Sequence, residues 1–193
     1  MRLTDSEFRG MNNAVRRFFQ RRVEYPVFRW LGLKQTKQDI LEVGCGSGYG
    51  AVLLMRIEPN SYVGIDLMPE MIELANRRNL PIAEFLVMDA TDLSHFNDAG
   101  KDVVVVFGIL HHIPNWRDVI CECHRVLRPG GKLFLEEPTA RVLRIWDAVF
   151  PWNHPKEALF SRKELEKQVK SVGFSLTGRR GLLGFWSFCF TKG

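Results

Sequence analysis

The stretch ILEVGCGSGYGAVLL, from Ile40 to Leu54, constrains this chain most. An apolar run carrying one acid, Glu42, leads into three alternating glycines, Gly44, Gly46 and Gly48, and then into a second apolar run. Glycine is the costliest residue to order, so three within five positions need a reason. A strand, a glycine loop and a helix in that order turn bare backbone N–H groups and a helix N-terminus toward a bound ligand.

The pattern around this stretch tells which fold surrounds the loop. DILEVG reads as a strand and Tyr49 to Ile57 as a helix. SYVGID is a second strand, and Pro69 sits in the first turn of a helix running to about Arg78, where proline is tolerated. AEFLVMD and KDVVVVFG are further strands, the latter β-branched and suited to burial on both faces. WRDVICECHRVL is a helix stopped by RPGG, and KLFLEEP is a fifth strand. Such alternation implies parallel strands joined by right-handed crossovers, a doubly wound α/β sheet.

Both ends differ from this middle. Residues 11–24 place Met11, Ala14, Val15, Phe18, Phe19 and Val23 on one helix face, with Arg16, Arg17, Gln20 and Arg21 on the other. After Pro138 comes the amphipathic, aromatic-rich RVLRIWDAVFPW. SRKELEKQVKSVGF is a helix with Ser161 and Glu164 spaced as a capping box and Gly173 as its stop. FSLTGRR and GFWSFCFTKG read as a closing hairpin around Gly181 to Gly184. A single domain is expected, with a helical lid (1–37), a cofactor-binding core (38–138), a substrate-side insertion (139–160) and a C-terminal helix and hairpin (161–193).

Charge follows the same division. Residues 1–37 hold nine Lys and Arg against three Asp and Glu, residues 38–137 eight against fifteen, and residues 138–193 ten against four. An acidic middle between two basic ends suits an anionic substrate, a lipid headgroup or nucleic acid, or simply attraction between ends and middle. No apolar run approaches the roughly 20 residues that span a bilayer. The segment MRLTDSEFRGMNNAV lacks the apolar core of a secretory signal, so a cytoplasmic location is expected. Cys45, Cys121, Cys123 and Cys189 lack paired metal-ligand spacing, and no metal is expected.

The glycine spacing separates two cofactor classes. A dinucleotide fingerprint, G-x-G-x-x-G, would need glycine at Tyr49 or, one step on, at Ala51. The spacing is instead E-x-G-x-G-x-G. LEVGCGSG resembles motif I of the class I S-adenosylmethionine-dependent methyltransferases. VGIDLMPEMIELA, FLVMDATDL, VVVVFGILHHIPNW and ECHRVLRPGGKLFLEEP resemble their later motifs, in order, from Ile40 to Pro138. The subgroup resembled is the small-molecule one related to ubiquinone and menaquinone C-methyltransferases. The resemblance implies a Rossmann-like fold of five parallel strands followed by a C-terminal antiparallel hairpin, seven strands in all.

It also implies S-adenosyl-L-methionine as cofactor and S-adenosyl-L-homocysteine as product. Asp66, about 20 residues past the loop, would accept both ribose hydroxyls, a feature shared with NAD enzymes. Asp89 would accept from the adenine amino group and Ala90 would leave room beside the ring, with strand-end helix capping as the competing use of both aspartates. Glu42 would lie near the methionine amino group. Gly44, Cys45, Gly46 and Gly48 would line the methionine and ribose, with Leu67 beside Asp66. Gly108 and Leu110 would border the sulfonium.

Methyl transfer is a displacement in which placement of the acceptor supplies much of the catalysis. A base is needed only where the acceptor loses a proton. His111 and His112 are the candidates, with Glu136, Glu137 and His154 behind them; the resemblance implies a structural or cofactor-side role for the first histidine as the alternative. Enzymes that methylate base amino groups carry an Asn/Asp-Pro-Pro-aromatic motif where this chain reads GILHH, and no RNA-binding module is evident, so nucleic acid is disfavoured. The resemblance assigns acceptor shaping to the N-terminal helix and the insertion. Tyr25, Glu137, Trp146, Trp152 and His154 are the substrate-side candidates, beside arginines that suit an apolar, anionic or lipid-like small molecule or a membrane surface. The alternatives are an RNA methyltransferase using the basic flanks, a non-catalytic cofactor-binding protein, and an NAD-dependent oxidoreductase, which Tyr49 disfavours.

Overall fold

In a computed structural model of the chain, residues 10, 13–34, 37–149, 155–182 and 184–193 are described. Seven strands form one sheet in the order β3-β2-β1-β4-β5-β7-β6. The strands are β1 (Asp39–Val43), β2 (Ser61–Asp66), β3 (Ala83–Val87), β4 (Lys101–Phe107), β5 (Leu127–Pro138), β6 (Phe174–Leu182) and β7 (Phe185–Lys192). The first five pair in parallel. β7 inserts antiparallel beside β5, with β6 antiparallel outside it. The expected fold, five parallel strands and a closing antiparallel hairpin, is the one observed.

The helices are α1 (Ala14–Phe19), α2 (Tyr25–Trp30), α3 (Tyr49–Leu54), α4 (Pro69–Asn76), α5 (Trp116–Val126), α6 (Ala140–Val149) and α7 (Arg162–Ser171). Two apolar layers sandwich the sheet, as parallel strands buried on both faces require. One packs Leu41, Val104, Leu133 and Phe188 against α5 and α7. The other packs Ile40, Val105 and Phe134 against α3 and α2, with Phe28 stacked 5.0 Å from Phe107.

Three local details differ from the sequence reading or sharpen it. α1 and α2 are joined by a π-helical turn, Gln20–Glu24, which buries both Gln20 and Glu24. Arg16 and Gln20, read above on the face opposite the apolar one, instead reach inward, Arg16 onto Glu24, whereas Val15 and Phe18 of the apolar face are exposed, as Arg17 and Arg21 are. β5 begins at Leu127, so RPGG lies within the strand's opening bulge rather than before it. The capping box forms as read: Ser161 Oγ accepts from Glu164 N–H and Glu164 Oε2 from Ser161 N–H.

Candidate active site

The carboxyl ends of β1, β2, β4 and β5 converge where the strand order reverses direction, at the switch point between β1 and β4. Open α/β sheets bind ligands in the crevice outside such a point. Two hollows of about 870 and 560 Å³ lie there and share Gly44, Asp66, Ile109 and His112. They are the two arms of one groove. One arm runs past Leu67, Met88, Asp89 and Ala90. The other runs past Glu42, Cys45, Gly46, Tyr49, Arg16 and Gln20.

Asp66 stands where the arms meet, and its carboxylate is fixed by backbone. Oδ2 accepts from Gly46 N–H at 2.9 Å and Oδ1 from Met68 N–H at 2.9 Å. Burial raises its pKa, and these N–H groups oppose the rise. The loop contributes bare backbone. Gly46 has φ +52°, and a Cβ built on it meets nothing within 4 Å, so its main chain faces the open groove. Asp89, two residues past β3, spends Oδ1 on a turn, accepting from Thr91 N–H and Oγ1 at 2.9 and 2.8 Å.

Glu42 forms the floor of the second arm. Tyr62 O–H donates to its Oε2 at 2.7 Å, and burial pushes the carboxyl up to about 8. Room for it comes from Gly50, whose absent Cβ would lie 2.1 Å from Glu42 Oε1. Tyr62 and Gly50 carry no sequence signal, since an aromatic in a strand and a glycine in a helix each have commoner readings. Arg16 closes the arm from above, donating to Glu24 Oε1 at 2.6 Å. Glu24 and Glu136, also buried, each keep one oxygen without a hydrogen-bond partner among the described residues.

Beyond β4 the chain turns through Leu110–His112. Glu137 on β5 holds this turn: Oε1 accepts from Ile109 and Leu110 N–H at 3.1 and 2.8 Å, and Oε2 lies 2.7 Å from His111 Nδ1. Leu110, His111 and His112 are all buried, and of the three His112 borders both arms. Of the cofactor candidates, Glu42, Gly44, Cys45, Gly46, Asp66, Leu67, Asp89 and Ala90 line the groove. Gly48 caps α3 behind the loop, and Gly108, at φ +61°, sits over Glu136.

The substrate-side candidates do not gather at one point. Tyr25 is buried in the layer under the sheet. Trp146 lies on the ring of Phe185, 5.7 Å away. Glu137 borders a separate hollow of about 580 Å³ with Arg141, Phe160, Trp186 and Phe188. Trp152 and His154 fall outside the described residues.

A two-armed groove at the switch point, centred on a strand-end carboxylate and floored by bare glycine backbone, defines a nucleoside-cofactor-binding α/β domain. Residues 41–135 match the family described as "Methyltransferase domain". The phthiotriol/phenolphthiotriol dimycocerosates methyltransferase 1 of Mycobacterium ulcerans is 45% identical over 134 residues, covering 67% of this chain and 48% of that protein. The human thiol S-methyltransferase TMT1B is 29% identical over 185 residues, covering 90% and 72%. A crystal structure of a SAM-dependent methyltransferase from Methanosarcina mazei superposes with TM-score 0.70 at 26% identity, covering 87% and 97%. The chain spans about a third to a half of the length of the mycobacterial relatives it matches. Residues 41–135 belong to this methyltransferase-domain family, and the fold is that of the class I S-adenosylmethionine-dependent methyltransferases, for which S-adenosyl-L-methionine is the cofactor.

Proposed function

We propose that the chain methylates a small, apolar or lipid-like acceptor through a hydroxyl or thiol. The carrying observation is the continuous groove with Asp66 at its centre, Asp89 in one arm and Glu42 in the other. Two hydroxyls side by side suit the backbone-fixed Asp66 carboxylate, a cationic amine suits the Glu42 arm, and a flat ring suits Met88, Asp89 and Ala90. Bound S-adenosylmethionine supplies a methyl group on a sulfonium, activated by its charge.

The chain's own part is to place and to exclude. Ile109 and His112 border both arms, so the acceptor approaches over them. His112 takes the acceptor's proton, and His111, joined to Glu137, is a positioning residue that fixes the turn carrying it. An apolar acceptor is supported by the aromatic hollow at Glu137, and a hydroxyl or thiol as the methylated group by the relatives, one named for phthiotriol dimycocerosates and one for a thiol. The test is transfer of a labelled methyl from S-adenosylmethionine to a panel of long-chain thiols, long-chain alcohols and short transfer RNA fragments. Label in the apolar products, reduced at least tenfold in His112→Asn, is expected; label confined to RNA contradicts the reading.

A further inference from the structure

Methyl transfer makes no use of one surface feature. α1 exposes Val15 and Phe18, three residues apart, at 75% and 63%. α6 exposes Ile145 and Val149, four apart, at 51% and 68%. Residues at these spacings share a helix face. The helices are neighbours: Phe19 of α1 packs on Phe185 at 4.9 Å, and Trp146 of α6 packs on the same ring. Phe185 pairs with Pro138 at the carboxyl end of β5, the edge of the sheet on which the groove opens.

The charge beside these apolar side chains is predominantly positive. Arg17, Arg21 and Arg22 are exposed along α1 and the π-turn, and Arg141 and Arg144 along α6. Glu24 is buried against Arg16, which leaves Asp147 as the acid on these segments. Apolar side chains between arginines fit a bilayer boundary, with chains in the acyl region and guanidinium groups on phosphates. RNA would be served by the arginines but would leave Val15, Ile145 and Val149 in water, since aliphatic side chains offer no stacking face.

We propose that α1 and α6 form a docking surface for a phospholipid membrane bearing anionic headgroups, holding the groove mouth beside the bilayer. The proposal stands apart from the methyl-transfer reading, because none of the four apolar side chains lines the groove.

The test is co-sedimentation of the full chain with vesicles of mixed phosphatidylcholine and phosphatidylglycerol, against vesicles of phosphatidylcholine alone. Binding to the mixed vesicles, about tenfold weaker to the neutral ones and weakened by salt, is expected. Phe18→Ser with Ile145→Ser lowers it about tenfold, and so does Arg21→Glu with Arg144→Glu. A cooperative thermal melt of each variant controls for folding, and S-adenosylhomocysteine binding, measured on the same samples, reports the groove separately. No sedimentation with the mixed vesicles, equal binding to neutral ones, or binding indifferent to both variants overturns the proposal. So does a stable dimer, or polyuridylate binding without vesicle binding, abolished by the same substitutions.

Discussion

Glu137 reaches from β5 to lie 2.7 Å from His111 Nδ1, and with its other oxygen it takes the N–H groups of Ile109 and Leu110. One buried carboxylate thus fixes the turn that walls the groove. Glu137→Ala strands these groups, each costing about 1–3 kcal/mol when buried without a partner. We expect a loss of about 3 kcal/mol in denaturant unfolding, together with weaker S-adenosylhomocysteine binding. A loss below about 1 kcal/mol would show that the turn holds itself.

Gly50 and Glu42 make a paired prediction. Gly50 is the second residue of α3, and within a helix alanine normally gains up to about 1 kcal/mol over glycine. Here the new Cβ would lie 2.1 Å from Glu42 Oε1, so Gly50→Ala should instead destabilise by about 2 kcal/mol. The cost should disappear in a Glu42→Ala background, which removes the obstructing carboxylate. Additive effects of the two substitutions would contradict the geometry.

Glu42 also links cofactor binding to protons. Its folded carboxyl is raised to about 8 by burial, so it is protonated at neutral pH. Its contribution to stability is full below the ordinary carboxylate value and is lost as pH rises toward about 8. A cationic amine in that arm favours the ionised form, so binding should release a proton between about pH 4.5 and 8. Calorimetry in buffers of different ionisation heat reads this release directly. Glu42→Gln should abolish it, and a binding enthalpy independent of buffer in the parent would refute it.

Asp39 behaves in the opposite sense. It accepts from Asn60 at 2.8 Å, Ser61 at 2.7 Å and Arg128 at 3.0 Å, which hold its carboxyl down to about 2. Its stabilisation is present above the ordinary carboxylate range and fades as pH falls toward about 2. Asp39→Asn should cost about 1–2 kcal/mol at neutral pH, a figure reduced for partial exposure, and little near pH 2. A constant difference across that range would remove the titration from the account.

These residues show how far the sequence could be read. The parallel core was legible because Val103 to Val106 are continuously apolar, and Ile40 to Val43 are apolar but for Glu42, as strands covered on both faces require. Asp66 and the glycine loop were legible because their spacing is local. Arg16, Gln20 and Tyr62 were not. Arg16 turns inward onto Glu24, which the π-turn places beneath it, and toward Glu42 and Glu136, which come from distant strands; Gln20 is buried with them. The π-turn at Gln20–Glu24 left no mark in the residue pattern either.

The most direct measurement is calorimetric titration of the chain with S-adenosylhomocysteine, beside Asp66→Ala. Asp66 lies at the junction of the two arms, so binding is expected for the parent. Loss of its charge-assisted bonds should weaken the variant about thirtyfold, or about 2 kcal/mol. No heat and no thermal shift at millimolar ligand, or equal affinity in both proteins, would contradict the assignment of this groove.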